Sequence, residues 1–394
     1  MGYRKFSAPQ IFTGSELREA LVLITDADGR VEALVDRQEA GDDVQYWDGI
    51  LTPGFVNAHC HLELSHMKDV IPAGSGMIDF LLGVMGQRAV QEELVLQAIE
   101  AAETAMRQQG IVAVGDICNT AFTLPQKQAG RLYYQNFIEA TGFLDATAAA
   151  RFAAAETVYH QFRAAAPAVT NRWGANSSIV PHAPYSVSPT LFGLIAISQP
   201  HGLLTLHNQE SEAEEQFMQT GQGGFNRLYE TLGLDIAFYQ PQGKTSLQTT
   251  LPRFLPNQTV LLVHNITTSE ADLQFLEEGR QAGSLPEVHF CLCPNANLYI
   301  GNGLPDVHLL LQHGVNLVIG TDSLASNHAL DMAAEINTLR QHFPQIPLQT
   351  LLQWGTLNGA IALGIEDRFG SFEPGKQPGV VIVSEDLSVA RRVG

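Results

Sequence analysis

The segment Thr52–Glu63 reads TPGFVNAHCHLE, an apolar run that ends in two histidines spaced two residues apart. An apolar run without polar alternation is typical of a strand that is buried on both faces, as in a parallel sheet. Alternate residues of a strand point to the same side, so His59 and His61 can converge on one point. Taken alone, the pair can also be explained as two polar residues at the edge of a sheet.

Seven similar runs follow, so that the sequence contains eight. The eight runs begin at Gly54, Gly110, Leu132, Ser177, Gly202, Thr259, Glu287 and Val315. They lie roughly 20 to 60 residues apart, which leaves room for a helix in most gaps. Helical patterns cover Met77–Glu92, Ala148–Ala166 and Ser269–Ala282. Eight β–α units predict an α/β fold, a (β/α)8 TIM barrel.

The two ends of the chain have a different pattern. Residues 20–36 indicate a strand, an Asp-Gly turn and a second strand, and residues 370–383 are turn-rich before a further strand. Since neither end shows a helical pattern, we predict a small β-sandwich domain formed by both termini. The predicted boundaries are 1–52 and 366–394 for its two parts and 53–365 for the barrel.

Composition restricts the classes of partner. The chain of 394 residues carries 22 Lys+Arg against 41 Asp+Glu, a formal net charge of −19, which argues against nucleic acid as a partner. No apolar run reaches the roughly 18 residues of a membrane span, so we expect no membrane association. The 4 cysteines form no CxxC pair, which favours a reducing, cytoplasmic location. We expect a small-molecule substrate, and a homodimer is compatible with the sequence.

Catalytic groups of such barrels lie at the carboxyl ends of the strands. Seven of the eight runs end at or near an imidazole or a carboxylate: His59 with His61, Asp116, Glu139, His182, His207, His264 and Asp322. An aspartate that joins three histidines would leave a divalent ion with an open position for water, as in catalytic sites. These donors suit Zn²⁺, with Fe²⁺ as the alternative. Asp322 can also be explained as an Asx turn or a helix N-cap.

Glu210 follows His207 by three residues, where the fifth run turns into its helix. A carboxylate in this place suits a general acid/base that acts on metal-bound water, although the helix dipole alone also favours a glutamate there. His264 and His182 can be ligand-contacting groups or ordinary histidines at the edge of the core. Glu139 can be a substrate contact or a solvated charge.

Six segments in this order resemble the amidohydrolase superfamily, in particular its aminohydrolase (deaminase) branch. They are TPGFVNAHCHLE (Thr52–Glu63), PHAPYSVSP (Pro181–Pro189), HNQES (His207–Ser211), LLVHN (Leu261–Asn265), CPNANLYIGNG (Cys293–Gly303) and GTDSLASN (Gly320–Asn327). The resemblance covers nearly the whole chain. It implies one metal ion bound by His59, His61, His207 and Asp322.

The same resemblance implies catalytic roles for Glu210, His264 and Asp322, and His182 is similar to the substrate-contacting histidine of adenosine-type members. Together with Glu139 as a second substrate contact, it leads us to expect hydrolytic deamination of an aminated heterocycle, a 6-aminopurine nucleoside derivative. The stretch HCHLELS also resembles aminodeoxyfutalosine deaminases. A related two-metal centre bridged by a lysine of the fourth strand is excluded, because no lysine occurs between Lys127 and Lys244.

Two other classes stay open. One is a mononuclear hydrolase of the chlorohydrolase type that acts on a triazine, pyrimidine or guanine ring. The other is a barrel without catalytic activity that serves as an interaction protein, although such proteins usually lose metal ligands. The glycine-rich stretch Thr220–Arg227 is either a loop that closes over a ligand or an ordinary exposed loop.

Overall fold

The eight predicted apolar runs are eight strands of a barrel in the computed structural model, which describes residues 2–165 and 176–394. The strands in chain order are β1 (Arg4–Ser7), β2 (Gln10–Phe12), β3 (Leu17–Glu19), β4 (Leu21–Thr25), β5 (Val31–Asp36), β6 (Val44–Tyr46), β7 (Ile50–Pro53), β8 (Phe55–Cys60), β9 (Ile111–Cys118), β10 (Tyr133–Ala140), β11 (Ser177–Pro181), β12 (Leu203–Asn208), β13 (Thr259–His264), β14 (Glu287–Leu292), β15 (Asn316–Ile319), β16 (Val380–Val383) and β17 (Ala390–Arg392). Strands β8 to β15 form the barrel.

The barrel consists of two parallel sheets, in the orders β11-β10-β9-β8 and β12-β13-β14-β15. The sheets meet along two seams. At one seam the His207 N–H donates to the His182 carbonyl oxygen (2.9 Å). At the other, the N–H groups of Thr321 and Asp322 donate to the His59 carbonyl oxygen (3.0 and 3.1 Å). The carboxyl ends of all eight strands therefore lie at one end of the barrel, as predicted.

The helices lie between and around these strands. In chain order they are α1 (Met77–Gln87), α2 (Glu92–Gln108), α3 (Leu124–Gln128), α4 (Ala148–Ala165), α5 (Pro189–Ser198), α6 (Glu212–Thr220), α7 (Gly224–Thr231), α8 (Ser246–Thr250), α9 (Glu270–Gln281), α10 (Pro294–Ile300), α11 (Val307–Gln312), α12 (Met332–His342), α13 (Leu348–Trp354) and α14 (Leu357–Ala362). Short 3₁₀ helices cover Leu62–Met67, Asp145–Thr147 and Leu251–Arg253.

Two of the predicted helices agree with the structure and one does not. Helix α9 fills the predicted Ser269–Ala282 between its two caps, and α4 follows the prediction to Ala165, with Ala166 outside the described residues. The predicted helix Met77–Glu92 was wrong, since α1 ends at Gln87 and α2 begins at Glu92. The His66 ring Nε2 donates to the Arg88 carbonyl oxygen (3.0 Å), which holds the chain out of the helix there.

The glycine-rich stretch Thr220–Arg227 is mostly helical, which corrects its prediction as a loop. Helix α6 ends at Thr220 with Gly221 in the left-handed region (φ 69°), and α7 already begins at Gly224. A Cβ atom added to Gly224 would lie 2.9 Å from Ile78 Cγ1, so α7 packs closely on α1. Only three residues, 221–223, connect the two helices.

Both ends of the chain form the small β domain. One sheet has the order β5-β4-β1-β6 and the other β17-β16-β7-β2-β3, so the carboxyl-terminal strands pair with β7 of the amino-terminal part. Buried side chains of both sheets, such as Phe6, Leu23, Leu51 and Ile382, pack together as the core of a sandwich. The exact boundaries 52/53 and 365/366 stay a prediction.

A search of the described residues finds no helix that is both long and apolar enough to cross a membrane.

Candidate active site

Four side chains converge at the carboxyl end of the barrel, and they are His59, His61, His207 and Asp322. One ligand atom of each lies within 4.8 Å of the corresponding atoms of the other three. His61 Nε2 is 3.1 Å from His207 Nε2, and Asp322 Oδ1 is 3.4 Å from His61 Nε2 and 3.6 Å from His59 Nε2. All four residues are buried. The chain therefore contains a three-histidine, one-aspartate group that can hold a metal ion.

The chemistry of this group fits a divalent cation. Neither ring nitrogen of the buried His59 has a hydrogen-bond partner among the described residues, an arrangement that is costly unless a ligand satisfies it. The His207 Nδ1–H donates to the His182 carbonyl oxygen (2.9 Å), which leaves the Nε2 lone pair for a metal. Burial lowers the pKa of His61 to about 4 and that of His207 well below its usual value. Both are thus neutral, the form that ligates metals.

The backbone at the strand ends is unusual around this group. Gln209, His264, Asn265 and Asp322 adopt positive φ angles of 51°, 77°, 59° and 56°. Residues other than glycine rarely occupy this region, and such conformations concentrate at functional sites. Strands β12, β13 and β15 thus end in strained turns that redirect their polar side chains.

Glu210 and His264 form a pair beside the four-residue group. Glu210 Oε1 is 3.5 Å from His264 Nε2, and the His264 Nδ1–H donates to Asn297 Oδ1 (2.8 Å). Burial, together with the charge of Asp322, raises the pKa of Glu210 well above its usual value. Burial lowers the pKa of His264. The pair therefore combines a carboxyl group in which burial favours the protonated form with an imidazole in which burial favours the neutral form, a combination suited to acid–base chemistry.

Glu139 and His182 lie on the other side of His207. Glu139 Oε1 is 3.6 Å from His207 Nδ1, while Glu139 Oε2 accepts a hydrogen bond from Asn119 Nδ2 (2.9 Å). His182 Nδ1 is hydrogen-bonded to Ser186 Oγ (2.6 Å), so Nε2 is the ring nitrogen left for a ligand. Both residues line the cavity that also contains His61, His207 and Asp322, and their role as substrate contacts stays a prediction.

The cavity has a volume of about 760 Å³, which is the size of a small-molecule site. Its polar end is formed by His61, Glu139, His182, His207, Glu210 and Asp322. Its remaining wall is largely apolar and includes Phe80, Leu81, Phe143, Val158 and Leu228. A ligand with a polar head and a less polar remainder matches this division.

Asp116 does not join the site, although the sequence placed it among the strand-end groups. It lies inside β9, and its Oδ2 is 2.5 Å from the buried Lys127 Nζ. Its Oδ1 accepts the Leu62 N–H (2.8 Å). Asp116 shares its face of β9 with Cys118, which also lies against Lys127 (3.1 Å). The alternation of the strand thus directs this carboxylate away from the metal ligands, into an ion pair.

Several supporting residues were missed by the sequence prediction. Asn297 orients His264, Asn119 holds Glu139, and the Ser326 hydroxyl donates to Asp322 Oδ2 (2.6 Å). Asn297 and Ser326 belong to the segments CPNANLYIGNG and GTDSLASN, but no spacing rule connects either one with its partner. Their roles become visible only when the strands are placed side by side.

Comparison with known proteins agrees with this geometry. The model of the Amidohydrolase family matches residues 50–392. A 5-methylthioadenosine/S-adenosylhomocysteine deaminase of Teredinibacter turnerae is 27% identical over 355 residues, which cover 85% of this chain and 71% of the relative. An aminodeoxyfutalosine deaminase of Nitratiruptor sp. is 27% identical over 326 residues, covering 81% and 75%.

A solved structure supports the fold. The crystal structure of Helicobacter pylori aminofutalosine deaminase in complex with methylthio-coformycin superimposes with a TM-score of 0.78 at 21% sequence identity. The match covers 97% of this chain and 92% of that one. Barrel and small β domain thus recur together in a protein of known structure.

Proposed function

The chain belongs to the amidohydrolase family and is a hydrolase of that family, and on this premise we propose that it is a metal-dependent deaminase. It releases ammonia from an aminated heterocycle, and its substrate is a 6-aminopurine nucleoside derivative of the adenosine or aminodeoxyfutalosine type. The observation that carries the proposal is the buried Glu210–His264 pair, 3.5 Å apart, in which Glu210 lines the cavity together with His61, His207 and Asp322 of the four metal-ligand candidates.

In this proposal His59, His61, His207 and Asp322 hold the ion. A divalent ion held by these residues would act as a Lewis acid and lower the pKa of a water molecule toward neutrality. Asp322 both ligates and accepts a hydrogen bond or proton from the attacking water, while Ser326 keeps the carboxylate oriented through Oδ2. The three-histidine, one-aspartate donor set suits Zn²⁺, with Fe²⁺ as the alternative.

Glu210 and His264 have separate roles, since Glu210 transfers protons and His264 orients the attacking water. Glu210 donates its proton to the ring nitrogen next to the amino-bearing carbon, which makes that carbon electrophilic. His264, with Nδ1–H fixed by Asn297, accepts a hydrogen bond from the attacking water at Nε2 and orients it. Glu210 and Asp322 then move a proton to the departing amine. The amino-bearing carbon exchanges its exocyclic C–N bond for a C–O bond, and water and substrate become ammonia and a cyclic amide, the 6-oxopurine.

Substrate recognition follows from the two ends of the cavity. In this proposal His182 Nε2 and the Glu139 carboxylate hydrogen-bond the nucleoside, and the apolar wall receives its less polar substituent. The names of the relatives in Teredinibacter and Nitratiruptor, both deaminases of 6-aminopurine nucleosides, support this class of substrate. The unpaired cysteines of the described chain are in keeping with the proposed cytoplasmic location.

A substrate panel tests the proposal. Purified protein would be incubated with adenosine, methylthioadenosine, adenosylhomocysteine, aminodeoxyfutalosine, guanine, cytosine and a chlorotriazine, and absorbance, ammonia and chloride would be followed. We expect ammonia from at least one 6-aminopurine nucleoside. Ammonia from guanine or cytosine alone, chloride release from the triazine, or no reaction with any compound would each overturn the proposed substrate class.

A further inference from the structure

The peptide that precedes Glu210 is held by a second glutamate. Gln209 is buried and has a positive φ of 51°. The N–H groups of Gln209 and Glu210 both donate to the carboxyl group of Glu214, to Oε1 and Oε2 respectively, each at 2.9 Å. The Ser246 hydroxyl donates to Oε1 as well. Glu214 is fully buried, so each oxygen of this carboxyl group is engaged by the protein itself.

This arrangement departs from an ordinary helix cap, as another helix of the same chain shows. At the start of α9, the Ser269 hydroxyl accepts the Asp272 N–H, and Asp272 Oδ2 in turn accepts the Ser269 N–H (3.0 Å). Such a reciprocal capping box is common. At the start of α6, Ser211 caps the Glu214 N–H in the same way (3.3 Å). The longer Glu214 side chain, however, passes the N-cap and reaches Gln209 and Glu210.

Gln209 is fixed from its side chain as well. Its Nε2 donates to Glu215 Oε1 (2.8 Å), and its Oε1 accepts the Thr268 hydroxyl (2.8 Å). The side chain therefore anchors Gln209 to both α6 and the start of the α9 region, but it leaves the two successive backbone N–H groups to Glu214. Two adjacent N–H groups around a left-handed residue form a concavity suited to a carboxylate.

We propose that Glu214 is a positioning residue that fixes the Gln209–Glu210 peptide so that the Glu210 carboxyl group lies against His264. This inference rests on the proposed function of Glu210. Glu214 is not among the described residues that line the cavity, so it acts through Glu210 and not on the substrate. Glu214 is thus the second acidic residue of the HNQESEAEE segment to which we assign a role in the reaction, after Glu210, the only one that the sequence singled out.

The substitution Glu214→Asp separates the two tasks of this side chain. The shorter aspartate can close a capping box with Ser211, as Asp272 does with Ser269, but it cannot span to Gln209 and Glu210. We expect metal content and folding to be retained, kcat to fall about 10- to 100-fold as for other supporting residues, and KM to change little. Hydrogen exchange of the peptide that contains Gln209 and Glu210, followed by mass spectrometry, should become faster.

Glu212→Asp is the matched control, because Glu212 lies in the same helical turn, is exposed and undergoes the same change of side chain. It should leave kcat and exchange unchanged. Ser246→Ala removes one donor to Glu214 and should lower kcat and accelerate exchange, as Glu214→Asp does. It therefore tests the role of Glu214 if Glu214→Asp does not fold.

The exchange measurement separates this inference from the proposed function. If the peptide that contains Gln209 and Glu210 exchanges at the wild-type rate in folded Glu214→Asp or, failing that, in Ser246→Ala, Glu214 does not fix this peptide. Faster exchange with unchanged kcat would overturn its role in catalysis. If the wild-type protein deaminates no compound of the panel while exchange of this peptide still becomes faster in Glu214→Asp, Glu214 does position the Gln209–Glu210 peptide and only the proposed function fails.

Discussion

Glu210 is the residue whose chemistry the proposed reaction needs most directly. Glu210→Gln keeps the size and shape of the side chain but replaces the carboxyl group by an amide that cannot donate or accept the proton of the reaction. We expect metal content equal to that of the wild type and a loss of kcat of about 10²- to 10⁴-fold, the usual contribution of a general acid/base. Metal analysis and ammonia release measure the two quantities. The exposed Glu278→Gln is the control, and near-normal turnover in Glu210→Gln would remove Glu210 from the proposed role.

The sequence predicted which polar residues lie at the strand ends, but not the residues with which they form hydrogen bonds or ion pairs. Glu139 and Asp116 both lie near the end of an apolar run, and only the pairing of the strands decides which of them faces the cavity. Glu139 does, whereas Asp116 is neutralised by Lys127. Asn297 acts through a hydrogen bond that depends on folded geometry. The Ser211–Glu214 spacing predicts a helix cap, but not the contact of Glu214 with the Gln209 and Glu210 N–H groups.

At the scale of elements, Gly320 lies where β15 meets β8, at a position that leaves no room for a side chain. A Cβ atom there would lie 2.8 Å from His59 Cβ and 2.9 Å from both His59 N and Cys291 Sγ. Gly320→Ala should therefore push the strands apart, lower the free energy of unfolding by on the order of 1–3 kcal/mol and reduce the metal content. Thermal unfolding and metal analysis provide the measurements.

Gly86→Ala is the matched control for Gly320→Ala. Gly86 lies in α1 with no heavy atom of the described residues within 4 Å of an added Cβ. Alanine favours helices over glycine by up to about 1 kcal/mol, so this variant should be as stable as the wild type or slightly more stable. Wild-type stability and metal content in Gly320→Ala would contradict the tight seam.

Elements were predictable where the local sequence decides them. The strands followed from uninterrupted apolar runs, and α9 from a pattern that begins at a serine N-cap. The break between α1 and α2 was not predictable, because Arg88–Gln91 contains neither glycine nor proline. It arises from the His66 contact with the Arg88 carbonyl oxygen, 22 residues apart in sequence.

For the molecule as a whole, the metal ligands connect the two halves of the barrel. His59 and His61 lie at the end of β8 in one sheet, whereas His207 and Asp322 belong to the other sheet and its seam. A ligand that binds only the assembled barrel stabilises it, by about 2.7 kcal/mol when its free concentration is one hundred times its Kd. The bound ion should thus stabilise the association of the two sheets in addition to its role in catalysis.

Removal of the metal tests this link. Treatment with a chelator should lower the melting temperature of the wild-type protein by several degrees, and added Zn²⁺ should restore it, since mass action couples binding to folding. His59→Gln should melt near the chelated wild type and respond neither to chelator nor to Zn²⁺. His160→Gln, at an exposed position of α4, should behave as the wild type. Identical melting of the chelated and Zn²⁺-supplemented wild type would show that the four residues do not join the halves of the barrel through an ion.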